Sequence, residues 1–195
     1  CRWRRGNLDS AEELLGRAWT VANESGQRLQ AAIASVNLGV ILLARSKYEQ
    51  AIDTLRVAVA VAREIGSPRL EQGALVNIAV AFGEMRQLPQ AEAVFREALV
   101  LARRVGEALI IARNLNNLAF ALMAQDRNGD AVELLREAKG ILFGMGVSNS
   151  IDGLRIGVNL AQALARTQQM DAAVVALAEA EACARTQGVD ANHPN

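Results

Sequence analysis

The chain has one histidine, two cysteines, three prolines and few aromatic residues among its 195 positions, and its 21 basic side chains are matched by 21 acidic ones. Each shortage excludes a class of function. The single histidine, His193, lies in the C-terminal tail, which leaves too little material for a zinc site or a histidine base, so neither a metal nor a cofactor is expected. Balanced charge argues against a nucleic-acid surface, which needs a basic surplus. No apolar run approaches the roughly 18 residues of a membrane span. The opening CRWRRGNLDS lacks a Met and the apolar core of a signal sequence, and it reads as a piece of a longer chain. Cys1 and Cys183 sit at opposite ends and fit idle thiols in a reducing compartment, from which a cytoplasmic location is expected.

What the chain has in plenty is alanine, leucine and arginine, the composition of an all-α protein. These residues recur. Gly26, Gly66, Gly106 and Gly146 fall 40 apart, as do Asn37, Asn77 and Asn117, with Asn159 following after 42. Ala51, Ala91, Ala131 and Ala173 trail those asparagines by 14, and Ala58, Ala98, Ala138 and Ala180 come seven later. The two extra residues fall in GVSNSIDG, a loop-like stretch where insertion costs little. Each unit reads as two helices joined by a short polar break, with a glycine closing the second. The expected helices are 8–25, 28–45, 48–65, 68–85, 88–105, 108–125, 128–144, 150–167 and 170–187, with Ser67 as an N-cap and Pro68 at the first helical position. Small residues at Gly39, Ala79, Ala119 and Ala161 allow a close crossing with the alanine ladder of the second helix. A single pair cannot bury its apolar face, so the units must stack as an α-solenoid.

The pattern Leu38, Gly39, Ala51, Leu55, Ala58, repeated as Ile78, Ala79, Ala91, Phe95, Ala98 and twice more, resembles the tetratricopeptide repeat (TPR) across essentially the whole chain. The family's early Trp and closing Pro are replaced, and the unit is about 40 residues long, similar to repeats of kinesin light chains and of bacterial LuxR-type and signal-transducing ATPase regulators. The resemblance implies a right-handed α-α superhelix of antiparallel helix pairs. The organisation expected is one array over 1–188, a half repeat 1–26 followed by 27–66, 67–106, 107–148 and 149–188, with a tail at 189–195. Neither end carries a polar cap, so the array is expected to continue or to be covered by another copy, with Trp3 and Trp19 near the open N-terminal end.

The first helix of each pair carries a second apolar stripe. Val36, Val40 and Leu43, then Val76 and Val80, then Asn116, Phe120 and Met123, and finally Val158 follow it, and in tetratricopeptide families this stripe lines the concave groove. Asn37, Asn77, Asn117 and Asn159 flank it. A carboxamide donates and accepts, which suits it to clamp a peptide backbone, as matching asparagines do in kinesin light chains; the competing reading is that each asparagine fixes repeat stacking. Arg113 and Arg155 stand early in their helices, able to meet an acidic ligand group or an intramolecular partner. Asp126, Asn128, Asp130 and Glu137 mimic a calcium loop, but Ala131 stands where the loop needs glycine. Arg56, Arg96 and Arg136 form a ladder expected to be solvated. The expected function is a non-catalytic protein- or peptide-binding module using this groove, with self-association through the groove or the ends as a further mode. The alternative is a small-molecule sensor and self-association segment of a bacterial signalling or transcription regulator.

Overall fold

A computed structural model describes residues 2–186, with side chains over 7–185. Cys1, the side chain of Trp3, Gly188, His193 and the 189–195 tail lie outside the described residues. Among those described there are nine helices and no strand: α1 (Arg2–Glu24), α2 (Arg28–Ala44), α3 (Tyr48–Glu64), α4 (Pro68–Glu84), α5 (Leu88–Val105), α6 (Ala108–Met123), α7 (Asn128–Gly144), α8 (Ile151–Arg166) and α9 (Met170–Thr186). Eight match the expected spans to within two residues. The exception is α1, which begins at Arg2 rather than at residue 8. Residues 2–7 carry no apolar period, so nothing in the pattern marked them, yet their backbone continues the helix N-terminally.

Each of α1 to α8 is followed by one left-handed residue. Gly26, Gly66, Gly106 and Gly146 take φ of 66–79°, as the closing glycines should. Ser46, Arg86, Asp126 and Gln168 do the same at φ 58–62° without being glycine. At the first of these, Lys47 N–H donates to Leu42 O at 2.9 Å and Ser46 N–H to Leu43 O at 2.9 Å, the paired bonds of a Schellman turn. The expected cap at Ser67 is absent as a side-chain bond, and Pro68 alone starts α4. The serine that does cap is Ser150, whose hydroxyl accepts from Gly153 N–H at 3.2 Å.

The chain divides into two compact units, residues 1–105 and 106–195. In the first, α2 pairs with α3 and α4 with α5, while α1 packs on α2, α3 on α4, and α2 lies beside α4. Its core holds Leu42, Ile52, Leu55, Val59, Leu75, Ile78 and Leu101 with buried alanines between them. Gly39 sets the α2–α3 crossing: a Cβ there would fall 2.5 Å from Leu55 Cγ, so no larger residue fits without moving the fully buried Leu55. Burying that leucine contributes about 2 kcal/mol. Lys47 donates to Glu12 at 2.8 Å and ties α1 to the end of α2, a bond that draws the Glu12 carboxyl below its ordinary range. Trp19 is half-buried on α1.

In the second unit α6 pairs with α7 and α8 with α9, α7 packs on α8, and α6 lies beside α8. Leu115, Leu122, Val132, Leu135, Leu142 and Ile156 are its largest fully buried side chains. Cys183 is buried on α9, and its thiol donates to Ser150 O at 3.2 Å. Asp126 and Asn128 of the calcium-like sequence bond to one another at the start of α7, Asn128 Nδ2 donating to Asp126 Oδ1 at 2.9 Å. No cluster of metal-ligating side chains occurs among the described residues, and none of their helices is long and apolar enough to cross a membrane.

Candidate functional site

The candidate site residues all lie on the first helices, α2 and α4 in one unit and α6 and α8 in the other. On α2 an i, i+4, i+7 stripe of Leu29, Ile33, Val36 and Val40 runs along one side, and Val40 is 43% exposed. Leu29 and Ile33 extend the stripe seen in the sequence by two turns, and their spacing from Val40 was its signal. Val36 is half-buried against the core, as is Val76 on α4, so these two valines serve packing more than the open face. Val80 remains exposed. About 40° and 60° around the helix from Val40, on the side where α4 packs, Val36 and Leu43 are partly covered; Asn37 lies about 60° the other way and is exposed.

In the second unit the same register places Phe120 outward, 62% exposed, with Val158 exposed on α8. Two expected trough residues are not on the open surface. Asn116 and Met123 are each only 4% exposed. They stand about 40° and 60° from Phe120 on the flank where α8 lies, which turns them into the α6–α8 seam.

The asparagine ladder is not uniform. Asn159 on α8 donates through Nδ2 to Asn116 Oδ1 on α6 at 2.8 Å, so this rung joins neighbouring repeats. The residue on α2 that corresponds to Asn116 is Val36, which offers no acceptor, and Asn77 donates instead to Gly73 O of its own helix at 3.1 Å. That bond occupies the amide of Asn77 and leaves its Oδ1 an acceptor. Among the described residues the side chains of Asn37 and Asn117 carry no hydrogen bond.

The two arginines share an intramolecular partner. Arg113 Nε and Nη2 donate to Asp152 Oδ2 at 2.9 and 2.7 Å, and Arg155 bonds the other oxygen of the same carboxylate. Asp152 was not singled out in the sequence; its partner Arg113 is 39 residues away and no local pattern links them. Burial pushes the Asp152 carboxyl up, but the bonds and charges of Arg113 and then Arg155 outweigh it and hold the group below the usual carboxylate range. The bond to Asp152 raises the Arg113 guanidinium above its ordinary value. The position of Asp152 in the first turn of α8 also favours the charged form. Two half-exposed guanidiniums on one carboxylate leave this face of the second unit with a positive balance. The ladder of Arg56, Arg96 and Arg136 is solvated on the second helices, each paired three or four residues back with Asp53, Glu92 or Glu133.

Tetratricopeptide repeat family models match residues 1–64 and, separately, 73–105 and 112–141. Among solved structures, BtubC (BKLC) from P. vanneervenii is 19% identical with a TM-score of 0.84, over 100% of this chain and 79% of that one. A Podosopora anserina protein described as a kinesin light chain with nearly identical TPR-like repeats is 20% identical with a TM-score of 0.77, over 94% and 90%. The Rap conjugation gene regulator of plasmid pLS20, solved in complex with the Phr* peptide, is 16% identical with a TM-score of 0.68, over 88% of this chain and 52% of its own. This chain therefore spans about half of that regulator. A sequence comparison with curated proteins gives no match. These likenesses carry the fold, an all-α helical-repeat superhelix.

Proposed function

The chain belongs to the tetratricopeptide repeat family, and from that premise we propose that it is a non-catalytic protein-interaction module that takes an extended peptide on its first helices. The observation that carries the reading is the face of the first unit. There the exposed apolar side chains of Leu29, Ile33, Val40 and Val80 lie beside the unbonded amide of Asn37 and the acceptor oxygen of Asn77. Apolar side chains supply contact area without sequence selectivity, and carboxamides meet backbone N–H and C=O groups of any peptide. The peptide complex of the Rap regulator supports the same use of a related fold. The second unit carries apolar and amide groups of its own, Phe120, Val158 and Asn117, and there the excess cation of Arg113 and Arg155 favours an acidic residue in a bound segment. The ligand is a protein segment rather than a nucleic acid, given the balanced charge of the chain.

The test is selection of decapeptides from a random library on the purified protein, followed by calorimetry with the best binder. Replacing both Asn37 and Asn77 by Ala should weaken binding about tenfold or more and leave the helical circular dichroism unchanged. Undiminished affinity in that double variant would remove the amides from the binding site.

A further inference from the structure

We propose that the second unit holds a separate site for a small, uncharged, apolar molecule, in the cavity where α7, α8 and α9 meet. The cavity measures about 280 Å³ and is walled by Leu142, Ile156, Ala180 and Cys183, with the 147–150 loop along one side. Its case rests on comparison with the junction of α3, α4 and α5 in the first unit, which the 40-residue register makes equivalent. There the space is filled and sealed: Leu75 and Leu101 lie in the core, and Arg63 lies across the outside, bonding Glu71 at 2.6 Å and Glu97 at 2.7 Å.

In the second unit four of those five residues are exchanged, and only the glutamate at 97 keeps its type, as Glu179. Gly157 replaces Leu75, Cys183 replaces Leu101, Phe143 replaces Arg63 and Gly153 replaces Glu71. Both glycines stand where other atoms now pack close, and at Gly153 no side chain fits. A Cβ on Gly157 would fall 3.0 Å from that of Ala180, so α8 and α9 approach there; a Cβ on Gly153 would fall 1.8 Å from Ser148 O, so the longer loop folds onto α8 and becomes a wall. Leu142, in the place of Ala62, returns part of the lost volume as the inner wall. Cys183 donates its thiol hydrogen to the loop at Ser150 O and presents a soft, weakly polar surface to the interior.

The chemistry of the occupant follows from this lining. At the mouth Lys139 pairs with Glu179, which replaces Glu97, so the two charges neutralise one another and offer no countercharge to an ion. An ionised ligand would lose its water without compensation. The volume suits roughly ten non-hydrogen atoms at the ~30 Å³ per water-sized unit of a liquid. Phe143 stands at the entrance, 79% exposed, where a bound ring would give it a surface for edge or offset stacking.

Indole is a suitable probe. Titrated into the whole chain carrying ¹³C-labelled Ile and Leu methyls, it should shift Ile156 and Leu142 saturably and leave the methyls of α2 and α3 in place. Cys183→Leu, which installs the residue found at position 101, should weaken indole about tenfold or more while keeping or raising the melting temperature. Phe143→Arg, a substitution on an exposed side chain, should weaken it several-fold whether or not the first variant folds. Indole-3-acetate, the charged analogue, should bind at least about tenfold more weakly than indole. Unmoved Ile156 and Leu142 methyls, or indole binding unaltered in Phe143→Arg, would overturn the proposal. Asn37→Ala should leave indole binding unchanged, so this site and the peptide face can fail separately.

Discussion

The two units carry asparagine at the same register on their first helices and put it to different use. In the first unit the face is apolar and its amides are turned outward or toward their own helix. In the second, Asn159 is committed to Asn116 and both arginines to Asp152, so α6 and α8 are joined by polar bonds across their seam. A repeated residue is therefore not a repeated role. What decides the role of an asparagine here is the residue one position earlier on the neighbouring first helix: an amide acceptor at 116 captures it, a valine at 36 does not.

The sharpest way to break the comparison is to destroy one unit and watch the other. Gly39→Val forces a side chain into Leu55 and should destabilise the first unit by about 3 kcal/mol, with amide exchange rising in α2 and α3 before α6–α9. Asp152→Ala should come next, at about 1–3 kcal/mol, because it leaves Arg113 and Arg155 bonded to nothing in the seam; thermal unfolding with exchange readout on α6 and α8 measures it. The same group sets an acid limit. Its native pKa lies below the unfolded value of about 3.9, so its contribution is complete above that value and is lost as the pH falls through the native one. Asp152→Asn should flatten the acid limb of the second unit's melting profile below about pH 4.

Smaller effects separate the two kinds of asparagine. Asn159→Ala should cost about 1 kcal/mol, since it strands the buried oxygen of Asn116. Asn37→Ala should change stability by less than about 0.5 kcal/mol, and its effect should appear in peptide affinity instead. Equal stability losses in the two variants, by chemical denaturation, would mean that the ladder has one structural role throughout.

Most of the helix plan was legible because its signals are local and repeated: the alanine spacing, Gly39 at a crossing, and a glycine at the end of each second helix. The turns at Ser46, Arg86, Asp126 and Gln168 were not, since these residues enter the left-handed region under the closing bonds of the helix rather than by intrinsic preference. Nor was the fate of Asn116 and Met123 legible. Periodicity put them beside Phe120, but only the packing of α8 decides which side of Phe120 is covered. Arg113 could be seen in the sequence and its partner could not, because Asp152 follows the two-residue insertion that breaks the 40-residue register. The cavity beside Phe143 was present in the sequence as a set of departures from the repeat, and it acquired meaning only when the equivalent residues of the first unit were found to fill a core.

The central claim, that the amides of the first unit read a peptide backbone, is tested most directly by the side-chain ¹⁵N–¹H₂ resonances of the four ladder asparagines during titration with a selected decapeptide. The account predicts that Asn37 and Asn77 shift saturably and become protected while Asn159, held by Asn116, stays in place. Movement of Asn159 with Asn37 and Asn77 unperturbed would contradict it.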